Sequence, residues 1–308
     1  VTYMVRVNDK SFIYSGIWSY LPGQVPPHYD GEDFIVFKAA PTLNNLQMST
    51  EDGKIRPGRA TDNTSTMTVK VGLNPDDENQ LIAENHLVFK GNCKILAYRM
   101  LSLRDVIGDM EKYLGQNPMK MPKRYDAKAE ADRITEATDH FVKQLWTGDD
   151  ITLDSFEITE GGCTPDSPDF IADFKGKVNG AVTQAGNNVM VNLGRFISEQ
   201  TQVEGSDRKR DVSIIRSGPS KYDNTILFEI PEGYELAEGS LDDLQKSVVS
   251  SDAAFVSEAS VDGNVVKLRV VERYPKSISA PTAWPDILKV MDAVYEFNSA
   301  SIVLRPKK

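Results

Sequence analysis

Only two cysteines, Cys93 and Cys163, and three histidines, His28, His86 and His140, occur in 308 residues. So small a supply excludes a disulfide-dense scaffold and a Cys-rich zinc site. No two of the histidines stand within a few residues of each other, so the spacing that grips a metal ion is missing. No stretch approaches the ~20 consecutive apolar residues that span a bilayer, and no membrane insertion is expected. Basic residues are outnumbered, 35 Lys and Arg against 45 Asp and Glu, and the formal net charge is −10. The average field therefore repels a polyphosphate backbone, and nucleic acid is excluded as a partner. The one basic cluster, Arg208-Lys209-Arg210, follows Asp207, precedes an apolar strand and reads as a solvated turn.

An initiator Met is also missing, and the opening run Val1-Thr2-Tyr3-Met4-Val5-Arg6-Val7 alternates like a strand, not like a signal peptide. A fragment or processed product is the expectation, with further chain before Val1. What is present is ordinary for folded protein: 40% hydrophobic and 26% charged residues, at a length that exceeds one core and predicts two or three domains.

The expected fold class is α+β and strand-rich, with antiparallel β-sandwich-like domains and a few packed helices. Val1, Tyr3, Val5 and Val7 alternate, Asn8-Asp9 supplies a turn, and Ser11-Phe12-Ile13-Tyr14 resumes extended structure. The Pro-rich run Leu21-Pro22-Gly23-Gln24-Val25-Pro26-Pro27 interrupts it before a short strand at Phe34-Ile35-Val36-Phe37. Residues 1–40 read as the end of a domain. Residues 41–217 read as a β-sandwich-like α+β domain. In it Met67, Val69, Val71 and Leu73 alternate, and residues 86–98 form a second extended run. Helices are expected near 102–114 and 126–146, and strands return near 151–158, 170–174, 189–193 and 212–215. Residues 218–308 read as a small terminal domain: a strand from Thr225, a hairpin around Asp262-Gly263-Asn264, a helix opened by Pro285, and a last strand at Ser301-Ile302-Val303-Leu304.

Chemistry is harder to find. A catalytic thiol needs a histidine in reach and is favoured at a helix start. Cys93, in Lys90-Gly91-Asn92-Cys93-Lys94-Ile95, reads as a strand residue packed as a small hydrophobe, and Cys163 stands in a loop before Thr164-Pro165. A bridge between them and two independent thiols both remain open. His28 lies in the Pro-rich loop, His86 at a strand entrance and His140 beside the apolar face of the second helix. The acidic runs Asn74-Pro75-Asp76-Asp77-Glu78-Asn79 and Asp166-Ser167-Pro168-Asp169 lack the calcium-loop pattern and read as turns. Glu160-Gly161-Gly162-Cys163 leads into a Pro-interrupted loop instead of the helix a phosphate cradle needs. Trp18 and Tyr20 read as an apolar plug beneath a loop.

The ordered features together resemble the C-terminal part of bacterial secreted or periplasmic transglutaminase-like proteins, which carry β-rich domains of unknown function behind their core. The opening hairpin with Leu21-Pro22-Gly23-Gln24-Val25-Pro26-Pro27 is similar to the closing strands of that core and the loop after it. Asp207-Arg208-Lys209 is similar to the step before the last module. Ile230-Pro231-Glu232-Gly233-Tyr234-Glu235-Leu236, the strand at 265–273, the helix at 284–298 and Ile302-Val303-Leu304 resemble the terminal module itself. The family's core supplies Cys, His and Asp for acyl transfer or thiol-protease-like chemistry. The Asp position falls here on Tyr14 or Ser15, and nothing matches the Cys-bearing helix or the His strand. No catalytic, cofactor-binding or metal residue is carried over, and no cofactor is expected. The resemblance implies a periplasmic or extracellular, non-catalytic accessory or binding region with a protein or glycan partner and contacts to upstream domains. The alternative it implies is a fragment of a thiol-dependent peptidase or transglutaminase-like enzyme whose Cys and His lie before Val1.

Overall fold

The computed structural model describes residues 3–7, 10–14, 25–41, 46–101, 127–148, 150–162, 164 and 166–307. The expected helix near 102–114, Trp18, Tyr20, Ser15, Cys163 and residues 21–24 of the Pro-rich run lie outside the described residues. What is described is strand-rich, with several sheets and few helices.

The chain opens on β1 (Tyr3–Val7) and β2 (Lys10–Tyr14), an antiparallel hairpin with Val7 opposite Lys10. A second hairpin, β3 (Asp33–Pro41) with β4 (Leu46–Lys54), crosses the division expected after residue 40. Next come β5 (Thr64–Asn74) and β6 (Asp77–Phe89), then helices α1 (Cys93–Met100) and α2 (Ala127–Leu145). Strands β7 (Ile151–Gly161), β8 (Phe170–Asn179), β9 (Val182–Ala185), β10 (Asn188–Asn192) and β11 (Ile214–Ile215) follow. The last stretch holds β12 (Ser220–Glu229), β13 (Tyr234–Leu236), β14 (Lys246–Val249), β15 (Ala254–Asp262), β16 (Val265–Tyr274) and β17 (Ile278–Ser279). Helix α3 (Trp284–Phe297) and β18 (Ser301–Pro306) complete the described chain.

Eight strands form the main sheet in the order β14-β15-β16-β12-β5-β6-β8-β7. All neighbours are antiparallel except β5 and β12, which run parallel with Val69 opposite Ile226 and Val71 opposite Phe228. The expected division at 217/218 therefore falls inside one sheet. A four-stranded sheet, β13-β18-β10-β9, crosses the same division, because β10 pairs with β18. Local alternation shows that a strand has one apolar side, but it does not name the partner, and here the partner is distant in sequence.

One face of the main sheet carries much of the core. Met67, Val69 and Val71 of β5, Leu81 and Leu87 of β6, Phe170 and Phe174 of β8, and Ile226 and Phe228 of β12 are all nearly inaccessible. Two helices cover its wings. On α2, Phe141, Val142 and Leu145 fall on one side of the helix, as an i, i+1, i+4 stripe requires. Phe141 meets Phe89 and Phe156 edge-on at 6.1 and 6.0 Å, and just beyond the helix Trp146 lies 5.0 Å from Phe174. On α3, Pro285 occupies the first turn, where its missing N–H costs nothing, and Phe297 packs edge-on against Phe255 of β15 at 5.2 Å.

Helix α1 corrects the reading of residues 86–98 as one extended run. Strand β6 stops at Phe89, Gly91 turns the chain with φ +56°, and Cys93 begins the helix. A Cβ at Gly91 would collide with the Asp62 carbonyl and the Asn63 side chain, so glycine is required there on two counts. Apolar runs this short do not distinguish strand from helix by periodicity.

The basic cluster is likewise more than a solvated turn, although exposed. Arg208 donates two hydrogen bonds to Asp292 of α3, at 3.0 and 2.8 Å, and Arg210 lies 4.7 Å over the Trp284 ring. Together they strap the segment before β11 onto the terminal helix.

Because the seam between β5 and β12 joins the two halves of the sheet, Phe228→Ala should cost about 3–5 kcal/mol. Urea unfolding followed by fluorescence and by far-ultraviolet dichroism should give one coincident transition at a lower midpoint. Separate transitions for the two halves would show that the seam does not couple them.

Candidate functional site

Between the two covering helices the sheet is open. A cleft of about 490 Å³ lies over β12 and β16, floored by Tyr222, Asn224, Val270 and Glu272. Phe141 and Leu145 of α2, Val294 of α3, and Ile197 just after the short turn Gly194–Phe196 supply apolar walls, while Lys143, Gln144, Glu199 and Gln200 contribute polar and charged groups. Arg216, one residue past β11, and Tyr274, the last residue of β16, close one end. The volume falls within the range of small-ligand sites.

The floor departs from the rule that sets the rest of the sheet. Along β12 the inward positions are Tyr222, Asn224, Ile226 and Phe228; along β16 they are Val266, Leu268, Val270, Glu272 and Tyr274. Apolar residues hold these positions until the strands reach the cleft, where an amide, a carboxyl and two phenols replace them. Asn224 stands between Met67 of β5 and Val270 of β16, and Tyr222 pairs with Glu272. Asn224 is only 5% exposed, yet its Oδ1 is buried with no hydrogen-bond partner among the described residues. An orphaned buried acceptor costs about 1–3 kcal/mol.

Arg216 adds a matching orphan donor. Its guanidinium stacks 3.6 Å over the Tyr274 ring, and its Nε is buried without a partner among the described residues. Tyr274 donates its hydroxyl to Glu272 Oε1. Burial pushes the Glu272 carboxyl above its ordinary value, against the opposing pull of the Tyr274 hydroxyl and Arg216. The Tyr274 phenol is raised by burial and by the neighbouring Glu272. The Tyr222 phenol is pushed up to about 12, chiefly by burial and then by Cys93 and Glu272. Both phenols are therefore neutral hydrogen-bonding groups at physiological pH, not bases.

The residues singled out from the sequence are dispersed. Cys93 carries a free thiol at the first position of α1, the very location where a helix lowers a thiol pKa, so its reading as a strand residue is corrected. Burial nevertheless wins and pushes the thiol up to about 12. His86 lies within β6 and faces Asp173 of β8 across 2.8 Å on an exposed surface. His140 is exposed beside Gln144 at 3.1 Å, and His28 falls in a short 3-10 turn, Pro27–Tyr29. No cluster of three His, Cys, Asp or Glu suited to a metal occurs among the described residues. The acidic run at 74–79 forms the β5–β6 turn, where Asn74 Oδ1 accepts from the Asp76 N–H at 3.1 Å. Lys94, fully buried, donates to the Gly162 and Pro168 carbonyls at 2.7 and 3.1 Å.

Sequence reasoning missed the cleft residues Arg216, Tyr222, Asn224, Glu272 and Tyr274. The available signal was Asn224 and Glu272 standing in the apolar phase of two alternating strands.

Two measurements check this electrostatic description. In a Cys163→Ser background at pH 8, Cys93 should react with iodoacetamide about a thousandfold more slowly in the folded protein than in urea, as a rise from 9.0 to about 12 implies. Equal rates would place the thiol in a different environment. For Glu272 the folded pKa is raised, so the carboxyl destabilises the fold as pH climbs from the unfolded value of 4.5 through the folded one. Glu272→Gln should therefore melt a few degrees higher than the parent chain at pH 8 and equally at pH 4. A lower melting temperature at pH 8 would mean that the charged form is favoured in the fold.

Compared with known proteins, the chain matches no protein-family profile and no curated protein. Among solved structures it is similar in part to a candidate protease from Parabacteroides distasonis ATCC 8503, at 12% identity and a TM-score of 0.29. That similarity spans 33% of this chain and 19% of the other.

Proposed function

We propose that this chain is a non-catalytic binding region whose ligand site is the cleft over β12 and β16. The reading is carried by Asn224, a nearly inaccessible amide whose acceptor is left without a partner at the floor of an open cleft. Along β12 and β16 polar groups replace apolar ones where the cleft opens, and a few polar groups in an otherwise apolar pocket are what a small-ligand site needs. Binding rather than chemistry is supported by the Cys93 thiol, held in its unreactive form, and by phenols pushed away from ionisation.

We place this region in a larger, extracytoplasmic transglutaminase-like protein, as an accessory to its core. That part of the reading rests on the resemblance of residues 225–308 to the family's terminal module. The sheets assemble in a β-sandwich-like arrangement, an interpretation supported by one hydrophobic core that draws on Val191 and Ile302 of the smaller sheet together with Val69 and Ile226 of the larger.

Asn224→Leu tests the proposal without a known ligand. Leucine fills a similar volume and removes the orphan, so the variant should be as stable as the parent chain or up to about 1 kcal/mol more stable. Loss of more than about 2 kcal/mol in urea titration would make Asn224 a structural residue and remove the support for a binding site. Thiol-dependent hydrolysis of a peptide by this chain alone would overturn the non-catalytic part.

A further inference from the structure

Between Gln200 and Ile214 the chain runs outside both sheets. Residues 201–213 hold no strand, and all but Val203 are exposed. Their one regular piece is a short 3-10 turn, Gly205–Arg208, where Asp207 N–H donates to the Glu204 carbonyl at 3.2 Å and Lys209 N–H to the Ser206 carbonyl at 3.0 Å. A backbone without ladder bonds opens at little cost, and an endopeptidase draws just such a segment into extended pairing with its own cleft. The three basic residues of this strap differ in what holds their side chains. Arg208 is bound to Asp292 at 3.0 and 2.8 Å, and Arg210 lies 4.7 Å over the Trp284 ring. Lys209 between them is exposed, its backbone is already extended at φ −115° and ψ 126°, and its ammonium has no ion pair or hydrogen bond among the described residues.

We propose that the Lys209–Arg210 bond is a processing site for an endopeptidase that selects Lys or Arg, and that its cleavage leaves a folded, two-chain molecule. In that step the C–N bond breaks, the Lys209 carbonyl carbon takes the hydroxyl of a water molecule and the Arg210 nitrogen takes its remaining hydrogen. The new acid then passes a proton to the new amine. The fold keeps both pieces because each end of the strap is fixed separately. Upstream, Gln200 N–H donates to Asn298 Oδ1 at 3.1 Å, and the Thr147 hydroxyl donates to the Ile197 carbonyl at 2.9 Å. Downstream, Ile214 is buried and pairs with Ser279, and Arg216 N–H donates to the Ser277 carbonyl at 2.8 Å. Across the cut, β5 stays paired with β12 and β10 with β18, since each pair draws one strand from either piece.

The test exposes the full chain to a trace of trypsin and follows the products by intact mass and by gel filtration with and without urea. Among the bonds of the described residues, the one after Lys209 should be cut first. It should be cut at least about tenfold faster than those after Lys70 of β5 and Lys267 of β16, which are exposed but held in the sheet. The two pieces should elute together in buffer and separate in urea. Lys209→Gln alters only an exposed side chain, so the variant should fold as the parent chain does and be converted about tenfold more slowly. Equal rates at Lys70 or Lys267 would overturn the site, as would conversion of Lys209→Gln through Arg210 at an undiminished rate. Pieces that part in buffer, or are degraded as soon as the first bond is cut, would overturn the two-chain product.

Discussion

The parallel pairing of β5 with β12 is the constraint on which the rest of the structure depends. Every other contact in the main sheet is antiparallel and built largely from neighbours in sequence, so two four-stranded halves would form readily by local folding. Besides the pairing of β10 with β18 in the smaller sheet, this is the strand pairing that joins them among the described residues. It costs the closure of a long loop, and it is repaid by the burial of facing pairs such as Val69 with Ile226 and Val71 with Phe228. Without it neither half would present the other with a continuous apolar face.

The seam also creates the cleft. Each half carries a covering helix on its outer wing: α2 over β6, β7 and β8, and α3 over β14 and β15. The middle of the sheet, where β12 and β16 lie, is left between them. Apolar side chains such as Ile226 and Leu268 fill the inward positions of these strands away from that gap. Instead Asn224, Glu272 and Tyr222 occupy inward positions there, and the floor is polar at the cost of imperfect hydrogen bonding. Asn85 makes a useful contrast. It too stands in the apolar phase of its strand with unpartnered side-chain atoms, but it lies opposite Phe174 in the closed core and does not line the cleft. The same residue type thus has a different meaning according to what is above it.

Much of this organisation was legible in the sequence, and the limits are instructive. The hairpin at Asp262-Gly263-Asn264 was readable because Gly263 takes φ +61° in a tight turn between two alternating strands. Helix α3 was readable because Trp284, Ile287, Leu288, Met291 and Val294 repeat at helical spacing around Pro285, although Tyr295, which the same spacing assigns to the buried stripe, is exposed and Phe297 is buried instead. Short strands such as β9, β13 and β14 were not, since three or four residues carry too little alternation to stand out from loops. Helix α1 was misread because its turn depends on close approach of Gly91 to Asp62 and Asn63, a contact made across the fold. The candidate site escaped a search organised around nucleophiles, metal ligands and phosphate loops. Its signature is a polar residue where alternation calls for an apolar one, and that becomes meaningful only when the partner strand and the gap between helices are known.

A single physical cause governs the chemistry of this region. Cys93, Tyr222, Tyr274 and Glu272 are all pushed towards their neutral forms, and in each case burial is the leading reason. Cys93 shows how strongly: the start of a helix should favour its thiolate, yet desolvation prevails. A thiol or phenol nucleophile needs the opposite balance, a charged form stabilised by a nearby partner. Phenols held neutral beside a stacked guanidinium instead donate and accept hydrogen bonds, as the Tyr274 hydroxyl does to Glu272.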